Sequence, residues 1–387
     1  MRTSEREEGA GMEINVANGE TGPGEPLKIN HCWCKGCGIC ASFCRQEALA
    51  LNEEGRAALV RPERCNRCGL CEDLCPDFAL EVAARAPDKA GFGNNGFVEA
   101  GALAPRLADR QARSAPAEPG GLPKAQLERY LRRAKMPHLW CPGCGNGLVV
   151  HALLKAIHQL SLDQDKIVVV AGIGCAGRAA GYLDFDTLHT THGRALAFAA
   201  GVKLSRPELT VIVLMGDGDA AAIGGNHLIH AARRNIDLAA IVFNNSIYGM
   251  TGGQCSPLTP TAGRGTTAPY GNIERPFDLP ALVQGAGGTY VARATTYHAR
   301  LLTDLIKGGL RHRGFAFIEA ITYCPTAFGR QNKAGSPADA LRWQRDHALN
   351  VQAYRRLAHD EKRGRFPIGL LYCGDAPEYV AAGASPS

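Results

Sequence analysis

Four apolar runs, at 167–171, 211–215, 239–243 and 315–321, punctuate the chain without the alternation expected of a half-exposed strand. Such runs predict strands buried on both faces. Between them, 195–204, 220–234, 279–285 and 297–311 carry helical spacing. Buried strands alternating with helices from Trp140 onward predict an α/β domain built on a doubly wound parallel sheet. Residues 1–27 lack any periodicity and read as a disordered tail, and 374–387 as a flexible one. A compact unit is expected over 28–84. Residues 85–137 read as an Ala-, Gly- and Pro-rich linker or strap with a helix near 122–134, Pro123 standing near its start.

Composition narrows the class. The 387 residues are 45% hydrophobic with a net charge of +6, and residues 1–80 hold nine Lys and Arg against thirteen Asp and Glu. That uneven charge suits docking between protein surfaces. No basic run is interleaved with aromatics, so nucleic acid is not expected as a partner. Neither a signal peptide nor an apolar run of the ~20 residues needed to cross a membrane is visible. The cytoplasm is the expected compartment. Fifteen cysteines, clustered rather than dispersed, point to metal ligation instead of disulfides.

Nine of the fifteen lie in 28–84. Cys34, Cys37, Cys40 and Cys44 form C-x2-C-x2-C-x3-C, and Cys65, Cys68, Cys71 and Cys75 repeat it, with Pro76 following. Three thiolates on one loop hold three irons of a cubane, and the fourth ligand comes from the other run. The expected sets are Cys34, Cys37, Cys40 with Cys75, and Cys65, Cys68, Cys71 with Cys44. Zinc is the competing reading, although zinc sites draw their thiolates in two pairs rather than in runs of four. The segment resembles a bacterial two-cluster ferredoxin, a small α+β domain with two [4Fe–4S] clusters. It departs from that pattern at Arg45, where Pro is usual. Cys32 is surplus.

A second constellation follows the apolar run that ends at Met215. Gly216-Asp217-Gly218 stands between a predicted strand and a predicted helix, and Asn244-Asn245 follows one strand later. Glycines there let the backbone approach a phosphate at a helix N-terminus. Carboxylate, amide and carbonyl oxygens suit a Mg2+ shell. GDG followed by NN resembles the thiamine diphosphate motif, which implies Mg2+ ligation by Asp217, Asn245 and the Ile247 carbonyl. Asp219 reads as the helix cap. In 188–194 (LHTTHGR), His192 and Arg194 are candidates for diphosphate contact or proton handling, against a purely structural loop.

WCPGCGNG (140–147), GIGCAGR (172–178), HTTHGRALAFAAGVKL (189–204), GDGDAAAIGGNH (216–227), FNNSIYGMTGGQ (243–254) and CPTAFGR (324–330) occur in one order. Together they resemble the β subunit of 2-oxoacid:ferredoxin oxidoreductases, most closely the 2-oxoglutarate type, over about 138–373. The resemblance implies a third [4Fe–4S] cluster on Cys141, Cys144, Cys175 and Cys324. It implies oxidative decarboxylation of a 2-oxoacid with coenzyme A as acyl acceptor, and electrons leaving singly for an external ferredoxin. An α subunit supplying the other half of the thiamine site, and a γ subunit in some assemblies, are the implied partners. Arg178 is a candidate for the distal substrate carboxylate, or else a solvated or subunit-facing side chain. Pyruvate and other 2-oxoacids stand as alternative substrates. An electron-transfer subunit without a thiamine site and a non-redox thiamine enzyme are the competing classes. Cys255 and Cys373 have no assigned role.

Overall fold

The structure, a computed structural model, describes residues 25–83, 122 and 124–383. Most of the tail expected over 1–27, most of the linker expected from 85, and residues 384–387 lie outside them.

Eight strands build one sheet: β5 (Ile167–Ala171), β6 (Asp186–His189), β7 (Thr210–Gly216), β8 (Leu238–Asn244), β9 (Tyr290–Thr295), β10 (Phe315–Ile321), β11 (Ala348–Asn350) and β12 (Phe366–Cys373). Their order is β11-β12-β9-β10-β8-β7-β5-β6. The sheet is parallel except where β12 runs antiparallel to β9. Alternate residues of each central strand serve opposite faces. Ile212, Leu214, Ile241, Phe243 and Ile318 pack under the helices Asn146–Gln159 and Ala299–Arg311. Val211, Val213, Met215, Val242 and Phe317 pack under Ala195–Ser205, Gly225–Arg233 and Leu279–Gly285. Both faces are covered, which is why the strands read as unbroken apolar runs.

A smaller unit is built from β1 (Leu27–Ile29), β2 (Leu49–Leu51), β3 (Ala57–Leu59) and β4 (Leu80–Val82), with short helices Ile39–Phe43 and Leu70–Asp73. β1 pairs antiparallel with β4, and β2 with β3. Leu27 opposes Val82 and is 1% exposed, so the expected tail stops short of it. The far end departs from expectation as well. Asn235 Nδ2 donates to the Ala376 carbonyl at 3.0 Å, and the Glu378 carboxylate accepts from the Asp237 and Ala381 N–H groups. The helix expected near 122–134 is Lys124–Arg129 followed by a 3-10 turn at Arg133–Lys135. The helix expected over 220–234 is two, Asp217–Ala221 and Gly225–Arg233.

The two units share a buried seam. Asp73, 5% exposed, pairs with Lys155 at 2.7 Å and with Arg300 at 2.9 Å. Lys35 Nζ donates to the Trp140 carbonyl at 2.8 Å and pairs with Asp77 at 3.3 Å. Burial, then the Lys35 charge, pushes His138 down to about 4. The ring is therefore neutral at pH 7. Its Nε2–H faces the Pro76 carbonyl at 2.8 Å, which leaves Nδ1 to accept from Lys35. The approach is closest at Gly147, where a Cβ would stand 1.9 Å from the Pro76 carbonyl oxygen. Gly147→Ala is expected to cost about 1–3 kcal/mol by overpacking. A lowered melting temperature with the helix content retained is the result to look for; an unchanged one would mean that the seam is slack.

Candidate active site

The carboxyl edge of a parallel sheet collects the loops that follow each strand. Here that edge brings together the segments after β5 (172–178), β7 (216–219), β8 (245–249) and β10 (322–324).

Asp217 is 4% exposed and heads the turn after β7. Its carboxylate accepts from the Gly218 N–H at 3.0 Å and from Ser256 Oγ at 2.6 Å. Burial raises it to about 7, against the pull of Ser256, Gly218 and the Ile247 N–H. No lysine or arginine pairs with it among the described residues. A buried carboxylate in that condition is a fitting ligand for a divalent cation. Asn245 Oδ1 accepts from the Ile247 N–H at 3.3 Å, and that N–H also faces the Asp217 carboxylate, so the three residues expected to hold Mg2+ adjoin one another. Ser246, between them, adopts the left-handed conformation at φ 61°, with its N–H held by Asn244 Oδ1 at 3.1 Å. Asn244 is fixed in turn by Glu319 at 2.8 Å, and Glu319 by Arg293 at 2.6 Å.

Gly218 has a steric use beside the expected one. A Cβ on Gly218 would stand 2.0 Å from the Tyr248 ring. The missing side chain thus makes room for Tyr248 over the Asp217 turn. Asp219 is more than a helix cap. Its Oδ1 accepts from the Gly193 N–H at 2.8 Å and lies 2.7 Å from His192 Nδ1; its Oδ2 accepts from the Ile173 N–H at 3.0 Å. The capping contact to the Gly216 N–H is the longest, at 3.5 Å. Asp219 therefore ties three edge loops together. His192 comes to this cluster, with its ring centroid 6.1 Å from that of Tyr248. Arg194 turns elsewhere: it donates to the Ile223 carbonyl at 3.3 Å and lies 3.1 Å from His227 Nε2.

The four remaining candidate cysteines converge beside this turn. Cys141 Sγ and Cys324 Sγ lie 3.5 and 3.8 Å from the Thr326 hydroxyl. A Cβ on Gly249 would meet Cys324 Sγ at 3.4 Å and Cys175 Sγ at 3.8 Å. Burial, then Cys324 and Cys141, pushes the Cys175 thiol up to about 11; Asp217 adds to the rise and Arg178 opposes it. Burial likewise holds Cys144 well above its ordinary value, with Cys324, Cys175 and Cys141 adding. Arg178 is exposed and close enough to be felt by Cys175.

In the smaller unit the cysteines sort into the crossed sets. Cys34, Cys37, Cys40 and Cys75 line one cavity. Cys44, Cys65, Cys68 and Cys71 line another, of about 250 Å³. Burial raises Cys37 to about 11 and Cys40 to about 12, and it raises Cys75 and Cys71 strongly, with Cys40 among the charges acting on Cys71. Thiols held protonated by burial and mutual repulsion need a cationic core to ionise, which is the condition an iron–sulfur cluster supplies. Gly143 connects the two regions: a Cβ there would be 3.4 Å from that of Cys37.

Sequence reasoning missed Ser256, His227, Gly249 and Thr326. His227, Gly249 and Thr326 lie inside the motifs named above, and that proximity was their one signal; Ser256 lies outside them.

Comparison with known proteins matches both units of the chain. Residues 172–320 match the thiamine pyrophosphate enzyme C-terminal TPP-binding domain, and residues 33–79 the 4Fe-4S dicluster domain. The 2-oxoglutarate synthase subunit KorB of Methanothermobacter thermautotrophicus is 54% identical over 250 residues, 65% of this chain and 87% of that one. The β subunit of the 2-oxoacid:ferredoxin oxidoreductase of Saccharolobus solfataricus is 44% identical over 189 residues, 48% of this chain and 62% of that one. A solved 2-oxoglutarate:ferredoxin oxidoreductase from Magnetococcus marinus, with 2-oxoglutarate, coenzyme A and succinyl-CoA bound, superposes with a TM-score of 0.61 at 32% identity; the match covers 70% of this chain and 91% of that one. With one such relative matched over 87% of its length, the chain belongs to the 2-oxoacid:ferredoxin oxidoreductase family, as a subunit of the 2-oxoglutarate type.

Proposed function

We propose that this chain, with a partner subunit, oxidatively decarboxylates 2-oxoglutarate to succinyl-CoA and passes the electrons through three [4Fe–4S] clusters to an external ferredoxin. The observation that carries this reading is the loop 245–249, which runs from Ile247, whose N–H faces the Asp217 carboxylate, to Gly249 against Cys175 and Cys324. One short loop therefore borders both the diphosphate turn and a cysteine quartet. Thiamine diphosphate, when bound, supplies an electron sink for loss of CO2. Asp217, Asn245 and the Ile247 carbonyl would hold Mg2+ and the diphosphate, and Asp219 fixes the His192 ring beside that turn. Cys141, Cys144, Cys175 and Cys324 ligate the nearest cluster; Cys34, Cys37, Cys40 and Cys75 the next; Cys44, Cys65, Cys68 and Cys71 the outermost, whose Cys68 is exposed. The cytoplasm remains the proposed compartment. Among the described residues no helix is long and apolar enough to cross a membrane.

Exposed apolar side chains at and near the sheet edge support closure by a partner: Ile173, Ile223, Met250 and Phe277 are between 44% and 53% exposed, and Ile273 is 94% exposed. Arg178, exposed beside Cys175, is the proposed anchor for the distal carboxylate. Anaerobic co-expression with the partner, followed by a 2-oxoacid panel read by ferredoxin reduction, tests the assignment. Reduction that requires coenzyme A and prefers 2-oxoglutarate is expected, with little from the chain alone. Full turnover by the single chain would refute the partner requirement. Arg178→Ala should lower the preference for 2-oxoglutarate over pyruvate by about tenfold or more, the worth of one charge-assisted pair. An unchanged ratio would remove Arg178 from the substrate site.

A further inference from the structure

Asn146 is 0% exposed, and neither atom of its carboxamide has a hydrogen-bond partner among the described residues. An unpartnered buried amide costs about 1–3 kcal/mol, so a group kept there calls for something it can bond. Asn146 is the first residue of a 14-residue helix, Asn146–Gln159, that begins directly after Cys144-Gly145. Its main-chain N–H already lies on the Cys144 sulfur. The neighbouring wall repeats the pattern. Thr322, two residues before Cys324, is 7% exposed with an unpartnered Oγ1, and a Cβ on Gly145 would meet its Cβ at 3.0 Å. Unsatisfied polar groups thus adjoin both of the loops that bring Cys144 and Cys324 to the quartet.

We propose that the Asn146 side-chain N–H donates to a sulfur of the cluster on Cys141, Cys144, Cys175 and Cys324, and that this raises its reduction potential. The inference rests on the reading that the quartet holds a cluster. Reduction adds one negative charge to the core. A donor aimed at sulfur stabilises that extra charge, and the positive end of the helix dipole acts in the same sense. Asn146 thereby makes the quartet a better first acceptor of electrons. It is a positioning and tuning residue and takes no part in bond making.

The test is a potentiometric titration of the anaerobic complex, followed by electron paramagnetic resonance. At a fixed potential, Asn146→Leu should lower the reduced-to-oxidised ratio of this cluster about tenfold, equal to 59 mV for one electron. Asn146→Asp, an acceptor of similar size, should lower it further. The two clusters of the smaller unit should titrate as in wild type. If the variants fail to fold, wild-type protein carrying 15N only at asparagine side-chain amides replaces them. A hyperfine coupling from that nitrogen to the reduced cluster is expected. Absence of the coupling, or Asn146→Leu titrating as wild type, overturns the inference and leaves a trapped water as the amide's partner. A wild-type iron content of about eight rather than ~12 per chain would instead overturn the three-cluster reading beneath it.

Discussion

A Cys141→Ser chain, purified anaerobically with its partner, is expected to hold about eight irons where the wild type holds ~12, and to stop passing electrons from substrate. Serine keeps the size of the side chain, but its hydroxyl does not ionise near neutrality, so the quartet loses one of four anionic ligands. Cys141 is half-buried and reached by the Thr326 hydroxyl. The fold around it rests on main-chain bonds that the change does not touch, from the Cys144 N–H to the Cys141 carbonyl at 3.0 Å and from the Gly145 N–H to the Tyr323 carbonyl at 3.2 Å. The crossed quartets of the smaller unit share no ligand with this one. Their signals should persist under dithionite while 2-oxoglutarate no longer elicits them. Substrate-driven reduction at the wild-type rate would show that electrons bypass Cys141.

Asp217→Asn should weaken binding of thiamine diphosphate with Mg2+ by roughly 100-fold or more, since changes one shell farther out already cost 10–100-fold at metal sites. Calorimetric titration at fixed Mg2+ measures it, and a wild-type dissociation constant would refute the ligand role. The same change should stabilise the cofactor-free chain. Burial lifts the carboxyl from 3.8 to about 7, so the folded chain holds its proton more tightly than the unfolded one. Stability therefore falls as pH rises from about 4 to about 7. The loss is complete above that window and amounts to about 4 kcal/mol as an upper figure. Asparagine cannot ionise and escapes the loss. Weaker binding and higher apo-stability at pH 8 move in opposite directions, a combination that a damaged fold does not produce.

The four apolar runs become β5, β7, β8 and β10 with their ends within one residue, because strands covered on both faces have no polar side to display. β9 escaped notice on account of Arg293. That side chain is 8% exposed and neutralised by Glu319 and Asp278, which no local pattern announces. β6 is an edge strand of mixed exposure, and β12 carries proline and glycine. The predicted helix over 220–234 breaks at Ala222, which leaves the helical conformation, and Gly224 then backs onto the Asp219 carbonyl, where a Cβ would stand at 1.8 Å.

That these cysteines come together was legible, because the two runs are closely spaced and the remaining motifs keep the order of the family. The supports of the diphosphate turn were not legible. Ser256 reaches Asp217 across 39 residues, and Asp219 reaches Gly193 across 26. Such partners are chosen by the topology of the sheet and leave no trace in spacing. Arg194 shows the converse, a residue of suitable type in a suitable motif that bonds to Ile223 and His227 instead.

The seam at Asp73, Lys35 and Gly147 has a kinetic meaning. A carrier that diffuses to its donor works at a rate set by concentration, and a tethered one at a rate set by its effective concentration. A unit clamped by buried ion pairs has neither dependence. On the proposed function, transfer inside this chain would be unimolecular, because the seam fixes the spacing from one cysteine set to the next. Dilution would then slow the hand-off at the outermost set and nothing upstream of it, and an enzyme short of acceptor would store its electrons within itself.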